Sequence, residues 1–153
     1  MRANRRRNTG PELALRAALR AAGLLGYRVD LKGVPGRPDI AFTRHKLAVF
    51  VHGCFWHRCP SCRLELPKSN RAFWRHKFEA NQERDERKRL GLEAIGWGVL
   101  EIWECEIERD LARCVARVER AIANAIDSRD DVAEFKVADR PMPRARRKSR
   151  GRS

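Results

Sequence analysis

His52-Gly-Cys-Phe-Trp-His-Arg-Cys-Pro-Ser-Cys62 gathers three thiols, two imidazoles, an arginine and two large aromatics into one short stretch. It is too polar for a core strand and too aromatic for an idle loop, so the flanking elements are read as built to hold it. Cys54, Cys59 and Cys62 have the spacing of a zinc knuckle, because a tight turn lets a Cys-x2-Cys pair grip one ion. Cys105, at the end of a later strand-like segment, is the remaining cysteine outside an evident helix and is the expected fourth ligand. A closed site of four thiolates is structural, not catalytic; the alternative is a set of buried free thiols. Cys114 falls among Ala, Val and Arg at helical spacing and reads as packing. His52 and His57, beside a rigid metal staple, suit proton transfer or phosphate contact.

Upstream, Leu47 to Val51 is a continuous apolar run that fits a buried strand. The polar turn Arg44-His-Lys46 joins it to Ile40-Ala-Phe42 as a hairpin, which returns Asp39 to the level of the second strand's end. Before Asp39, Lys32-Gly-Val-Pro-Gly-Arg-Pro38 is a loop stiffened by prolines and opened by glycines. Tyr27 to Leu31 alternates weakly and reads as a first strand. Thr9-Gly-Pro-Glu12 is a helix start, with Thr9 as N-cap and Glu12 in the capping-box position; the helix runs to about Gly23. Glu12 stands at the edge of the face carrying Leu15 and Leu19. It is either a capping group bonding back to Thr9 or a site carboxylate.

Downstream, Pro67-Lys-Ser-Asn70 leads into a helix from about Arg71 to Ala94, anchored by Phe73, Trp74, Phe78, Leu90 and Leu92. Asn81 and Asp85 continue the Trp74-Phe78 face, as part of a bonded network or a site, or because the helix rises into solvent. Gly96 to Trp103 is a strand that delivers Glu104-Cys105, and a last helix spans about Ile107 to Ile126. This order predicts an α/β fold with a mixed sheet flanked by helices. No Gly-rich phosphate loop follows a strand, which argues against a Rossmann or P-loop nucleotide enzyme.

The formal net charge is +14 over 153 residues. Four arginines before Thr9 and seven Lys or Arg from residue 140 onward supply eleven of it, leaving +3 between them. The expected division is a basic arm at 1–8, one domain at 9–126 and a basic, disordered tail at 127–153. Like-charge runs of this kind bind polyanions without reading sequence. An odd cysteine count and no apolar leader argue against a secreted disulfide framework. No segment approaches the roughly 20 apolar residues of a membrane span. A soluble, cytoplasmic monomer is expected.

Phosphodiester cleavage needs a metal to polarise the phosphate, a carboxylate to hold it and a group that manages the proton of the attacking water. Asp39, the Val51 carbonyl and Glu12 are placed to converge on such an ion, and oxygen-only ligation favours Mg2+ over zinc. His57 is then the acid or base and His52 a phosphate-facing partner. Phe55-Trp56, flanked by polar ligands, is either a wedge between base pairs or packing over the cysteine loop. The residues alone leave both readings open.

Several pieces together resemble the very short patch repair (Vsr) endonucleases, DNA mismatch nickases with a restriction-endonuclease-like fold. They are the Arg-rich lead from Arg5 to Glu12, Pro35-Gly-Arg-Pro-Asp39, Phe50-Val-His-Gly-Cys-Phe-Trp-His57, Phe73-Trp74, Asn81 with Arg84-Asp85, and Gly96-Trp97 through Trp103-Glu-Cys105. The resemblance implies a Mg2+-dependent nick 5′ of the thymine in a T:G mismatch, the lesion left when 5-methylcytosine deaminates. It implies Asp39 as principal metal carboxylate with the Val51 carbonyl beside it, and Glu12, His52, His57 and Asp85 as supporting active-site groups. His57 would carry the proton and Asp85 orient it. Phe55 and Trp56 would form the wedge, with Met1, Arg2 and Lys68 as further DNA contacts, and Cys54, Cys59, Cys62 and Cys105 would bind zinc.

The implied partner is double-stranded DNA with a T:G mismatch, in a bacterial nucleoid, with a functional link to a DNA cytosine methyltransferase and a repair polymerase. The chain departs from the pattern in places. The Asp…Glu-x-Lys restriction motif is absent, Cys59 stands where relatives can carry His, and Cys62 is displaced by one residue. Two other readings remain: a non-catalytic zinc-containing DNA-binding module, and a restriction-like nuclease with another target.

Overall fold

A computed structural model describes residues 8 to 138. Met1, Arg2 and the rest of the arm through Arg7, together with the stretch from residue 139 on, lie outside the described residues, as do the expectations that fall on them.

Helix α1, Gly10–Ala21, begins where the Thr-Gly-Pro-Glu signal predicts: Thr9 is extended, and its Oγ1 accepts the Glu12 N–H at 3.4 Å. Leu15 and Leu19 on its inner face are fully buried, so truncating either to Ala is expected to cost about 2–5 kcal/mol. The strand expected over Tyr27 to Leu31 does not form. One antiparallel bridge, Arg28 to Ala41, is made; then Asp30, with φ at 54°, turns the chain out of the extended conformation.

Strands β1, Ile40–Phe42, and β2, Leu47–His52, pair antiparallel with Ile40 opposite Val49 and Phe42 opposite Leu47. A short helix α2, Cys54–His57, follows β2 directly, where the sequence reads only as a loop. Helix α3, Arg71–Ala94, has the predicted bounds. Strand β3, Gly98–Trp103, runs parallel to β2, so β2 is the middle strand of a mixed three-stranded sheet. A middle strand covered on both faces needs apolar residues at successive positions, which explains the unbroken run from Leu47 to Val51.

The two faces have different neighbours. Leu47 and Val49, with Ile40, Phe42 and Ile102, pack on Leu15 and Leu19 of α1 and on the C-terminal helices. Ala48 and Phe50 pack on Leu92 of α3, with Val34 and Trp97 at the margin. The alternation puts His52, two residues past Phe50, on the α3 side.

The single C-terminal helix expected from Ile107 is two. Helix α4 is Glu104–Arg109 and α5 is Leu111–Ala138. Asp110 leaves the helical conformation (φ −155°) and its Oδ1 caps α5 by accepting the Arg113 N–H at 3.1 Å. Helix α5 also continues past Ile126 to Ala138. Cys114 is buried in the core between α5 and the sheet, as the packing reading requires. No helix among the described residues is long and apolar enough to cross a membrane.

The Pro-Gly loop before β1 clamps α3. A side chain at Gly91 would meet Pro35 at 3.1 Å, and one at Gly36 would collide with the Lys88 stem at 2.8 Å. Gly36 also has φ at +78°, so its lack of a Cβ is needed twice over. The clamp fixes where the chain enters β1, and hence where Asp39 stands.

Candidate active site and cysteine cluster

Asp39 lies just before β1, level with the end of β2, as the hairpin geometry predicts. Its Oδ2 accepts the Val51 N–H at 2.8 Å. In an extended strand the N–H and C=O of one residue leave on the same side, so the Val51 carbonyl also faces the Asp39 side. Burial pushes the Asp39 carboxyl up to about 6, against the pull of the Val51 N–H, with Glu12 adding to the rise and Lys88 and Arg16 opposing it. Glu12, Arg16 and Lys88 therefore share the electrostatic surroundings of Asp39.

Glu12 is 4% exposed. Its carboxylate does not bond back to Thr9. Its Oε2 accepts the Asn8 N–H at 3.0 Å and the Arg16 guanidinium at 3.1 Å, while Arg16 reaches Asn8 Oδ1 at 2.9 Å. A buried carboxylate in such a place needs a countercharge, and Arg16 supplies it. Arg16 Nε is itself buried without a hydrogen-bond partner.

On the α3 face of the sheet, His52, His57 and Asp85 bring ligand-capable atoms within 4.8 Å of one another. His57 Nδ1 lies 2.5 Å from Asp85 Oδ2, and the His52 and His57 rings are 4.3 Å apart. His52 Nε2 is 3.7 Å from Glu101 Oε1 on β3. Burial, and then the neighbouring His57, push His52 down to about 4, so it is neutral at pH 7. Burial would raise Asp85, but its bond to His57 and the charges of His57, His52 and Lys88 together outweigh that and leave the carboxyl lowered. Asn81, one turn before Asp85, donates from Nδ2 to the Trp56 carbonyl at 3.2 Å. Both polar groups on the Trp74-Phe78 face thus bond the α2 turn, and the network reading of that face holds.

The same turn presents the aromatics. Phe55 makes edge contacts with Trp56, Trp74 and Phe78 at centroid distances of 5.1, 5.7 and 5.2 Å. Trp56 is half-buried and lies 6.0 Å from Trp74, and Phe73 beyond it is 59% exposed. Arg58 stacks over Phe78 at 4.5 Å. Phe55 and Trp56 therefore form one end of an aromatic ledge completed by α3. The sequence marks Trp74 and Phe78 as helix anchors by spacing, but cannot show that they meet Phe55.

Cys54, Cys59, Cys62 and Cys105 converge, with all four sulfurs within 4.8 Å of one another. The 3.8 Å between the Cys59 and Cys105 sulfurs can be set against the edge of a tetrahedral thiolate site, about 3.8 Å for metal–sulfur bonds of roughly 2.3 Å. Burial pushes Cys105 up to about 11 and also raises Cys54. At Cys59 burial acts the same way, but backbone N–H groups of Cys62 and Ser61 and the neighbouring thiols outweigh it and leave it lowered. The thiols so placed fit a single metal ion, joining α2, its loop and the start of α4.

Lys68 is exposed in the loop before α3. Lys88 escapes notice in the sequence because it is one of many charged residues on α3; its spacing from Asp85, one turn on, is the signal that marks it. It lines a narrow cleft with His52, Asp85 and Glu101.

The family model for the DNA mismatch endonuclease Vsr matches residues 1–63. The chain is 46% identical over 115 residues to the type II nicking enzyme V.XorIIP of Xanthomonas oryzae pv. oryzae, covering 74% of this chain and 82% of the relative. It is 41% identical over 133 residues to the type II nicking enzyme V.NaeI of Lentzea aerocolonigenes, covering 84% and 79%. It is also 38% identical over 107 residues to the DNA mismatch endonuclease Vsr of Escherichia coli K12, covering 70% and 68%.

Proposed function

The chain belongs to the DNA mismatch endonuclease Vsr family, and from that premise we propose that it is a Mg2+-dependent endonuclease that nicks 5′ of the thymine in T:G mismatches. Family membership makes it a DNA endonuclease of Vsr type. The observation that carries the finer reading is the Asp39 carboxylate held against the end of β2, on the side that the Val51 carbonyl faces. One carboxylate oxygen is fixed by the Val51 N–H; the other and the Val51 carbonyl form an all-oxygen donor set of the kind Mg2+ prefers. Bound there, Mg2+ supplies Lewis-acid polarisation of the scissile phosphate.

The chain's own residues do the rest. His57, oriented through Nδ1 by Asp85, takes the proton of the attacking water as its oxygen bonds to phosphorus. The bond to the leaving oxygen breaks, and that oxygen takes a proton from solvent. His52, neutral in its buried position, faces the phosphate as a hydrogen-bond partner. Glu12, paired with Arg16, stands as a second carboxylate acting on Asp39. Trp56 and Phe55 wedge into the duplex from the aromatic ledge, while Lys68 contacts the backbone. Zn2+ held by the four thiolates stiffens the turn that carries both His57 and the wedge. The small mixed sheet flanked by helices suits a restriction-endonuclease-like fold, and a methyltransferase that creates 5-methylcytosine is the natural functional companion.

The test is a panel of matched and mismatched duplexes assayed for strand-specific nicking with and without Mg2+. A nick on the thymine strand of T:G alone supports the reading; no scission of any duplex with any divalent ion overturns it. The type II nicking relatives favour one second reading, a nickase with another target. Cleavage of matched DNA at a fixed sequence points there.

A further inference from the structure

Lys88 is a cation beside the site to which the reading above gives no task. Its aliphatic stem lies across Gly36, where an added Cβ would come within 2.8 Å of the Lys88 Cβ and Cγ and 3.1 Å of its Cδ. The loop that sets Asp39 is thus packed on the side chain itself. The same side chain stands one turn past Asp85 on α3 and lines the cleft with His52, Asp85 and Glu101. Arg89, also in that cleft, is taken up by Glu86 and Glu93 of its own helix. Among the described residues, Lys88 has no such ion pair.

We propose that Lys88 is the phosphate-binding cation of the site: threaded over Gly36, its ammonium contacts a non-bridging oxygen of the scissile phosphate and stabilises charge developing there. Cleavage at phosphorus concentrates negative charge on the non-bridging oxygens, and a fixed cation in a partly buried cleft is worth more in that state than before it. The position also suits the local field. Lys88 acts on Asp39, His52 and Asp85 together, though for none of them is it the largest influence. The seat on Gly36 matters because a lysine free to swing would lose most of this advantage.

The proposal rests on the endonuclease reading, so its test has one arm that needs no cleavage. Lys88→Met keeps the stem that packs on Gly36 and removes the charge; Lys88→Arg keeps a charge. With the full chain, single-turnover nicking of a T:G duplex is expected to slow about a hundredfold in Lys88→Met, with most of the rate recovered in Lys88→Arg. Without divalent ion, the slope of log affinity against log salt for the same duplex is expected to fall by about one in Lys88→Met. A Lys88→Met protein that nicks at the wild-type rate overturns the proposal. So does an equal loss in both variants with an unchanged salt slope, which marks a packing role. If the wild type cuts no duplex, the endonuclease reading fails, and the salt slope alone decides whether Lys88 meets phosphate.

Discussion

The Asp39 carboxylate accepts the Val51 backbone N–H at 2.8 Å, tying the residue before β1 to the end of β2. This bond does not neutralise the cost of burying the carboxylate, which is why the Asp39 carboxyl sits near 6. Without Mg2+ the folded protein therefore binds a proton at Asp39 that the unfolded chain, with an aspartate near 3.8, has already lost. That contribution to stability is complete below about pH 4 and disappears as pH rises through 6. His52 has the opposite sign: lowered to about 4, it contributes stability above about pH 6.5 that is lost as pH falls toward 4.

Asp39→Asn in Mg2+-free buffer removes the first effect and leaves the second. Urea melts at pH 7, 6 and 5 are expected to show the variant gaining stability relative to wild type at pH 7 and losing about half of that advantage by pH 5, the rest going only toward pH 4. A constant difference across the three values contradicts the burial of Asp39.

The cysteine cluster predicts one zinc per chain by elemental analysis. Cys59→Ser or Cys105→Ser is expected to lose the metal and lower the thermal midpoint, because a structural site contributes its binding energy to folding. Cys114→Ser, in the core between α5 and the sheet, leaves the zinc content unchanged. Full zinc in Cys105→Ser removes that residue from the ligand set.

His57 and Asp85 are bonded across α2 and α3, and the proposed mechanism gives them unequal roles. His57→Ala is expected to reduce single-turnover nicking by about 10²–10⁴-fold, the usual range for a general base or acid. Asp85→Asn keeps the shape and costs less, about 10–100-fold, as expected for a group that orients another. Binding of the uncut T:G duplex stays within a few-fold of wild type in both. A large binding defect with an unchanged cleavage rate reverses these assignments.

The aromatic ledge makes a separable prediction about affinity. Trp56→Ala is expected to weaken binding of the mismatched duplex by about 1–3 kcal/mol, roughly 5- to 150-fold, through lost stacking. Equal affinity of Trp56→Ala and wild type assigns Trp56 to packing over the cysteine loop.

Much of this arrangement is legible in the chain because local signals agree with it. The Thr9 cap, the unbroken Leu47–Val51 run and the polar turn between β1 and β2 locate α1, the central strand and Asp39 without reference to distant residues. Cysteine spacing selects three ligands, and the end of β3 offers Cys105. Other features depend on tertiary contacts or single backbone angles. The positive φ of Asp30 ends the pairing of Arg28 after one bridge, and Asp110 divides the last helix although its neighbours all suit helix. Arg16 as the partner of Glu12 was available as an i+4 pair, but its burial was not. The spacing of Lys88 from Asp85 is in the sequence, but the packing of the Gly36 loop against Lys88 is not.

The central claim is that an oxygen-bound divalent ion at Asp39 cuts mismatched DNA, and single-turnover nicking of a T:G duplex by Asp39→Ala measures it most directly. With Mg2+ present, the wild type is expected to nick the thymine strand and the variant to leave it intact while still binding the duplex. Cleavage by Asp39→Ala at the wild-type rate contradicts the account.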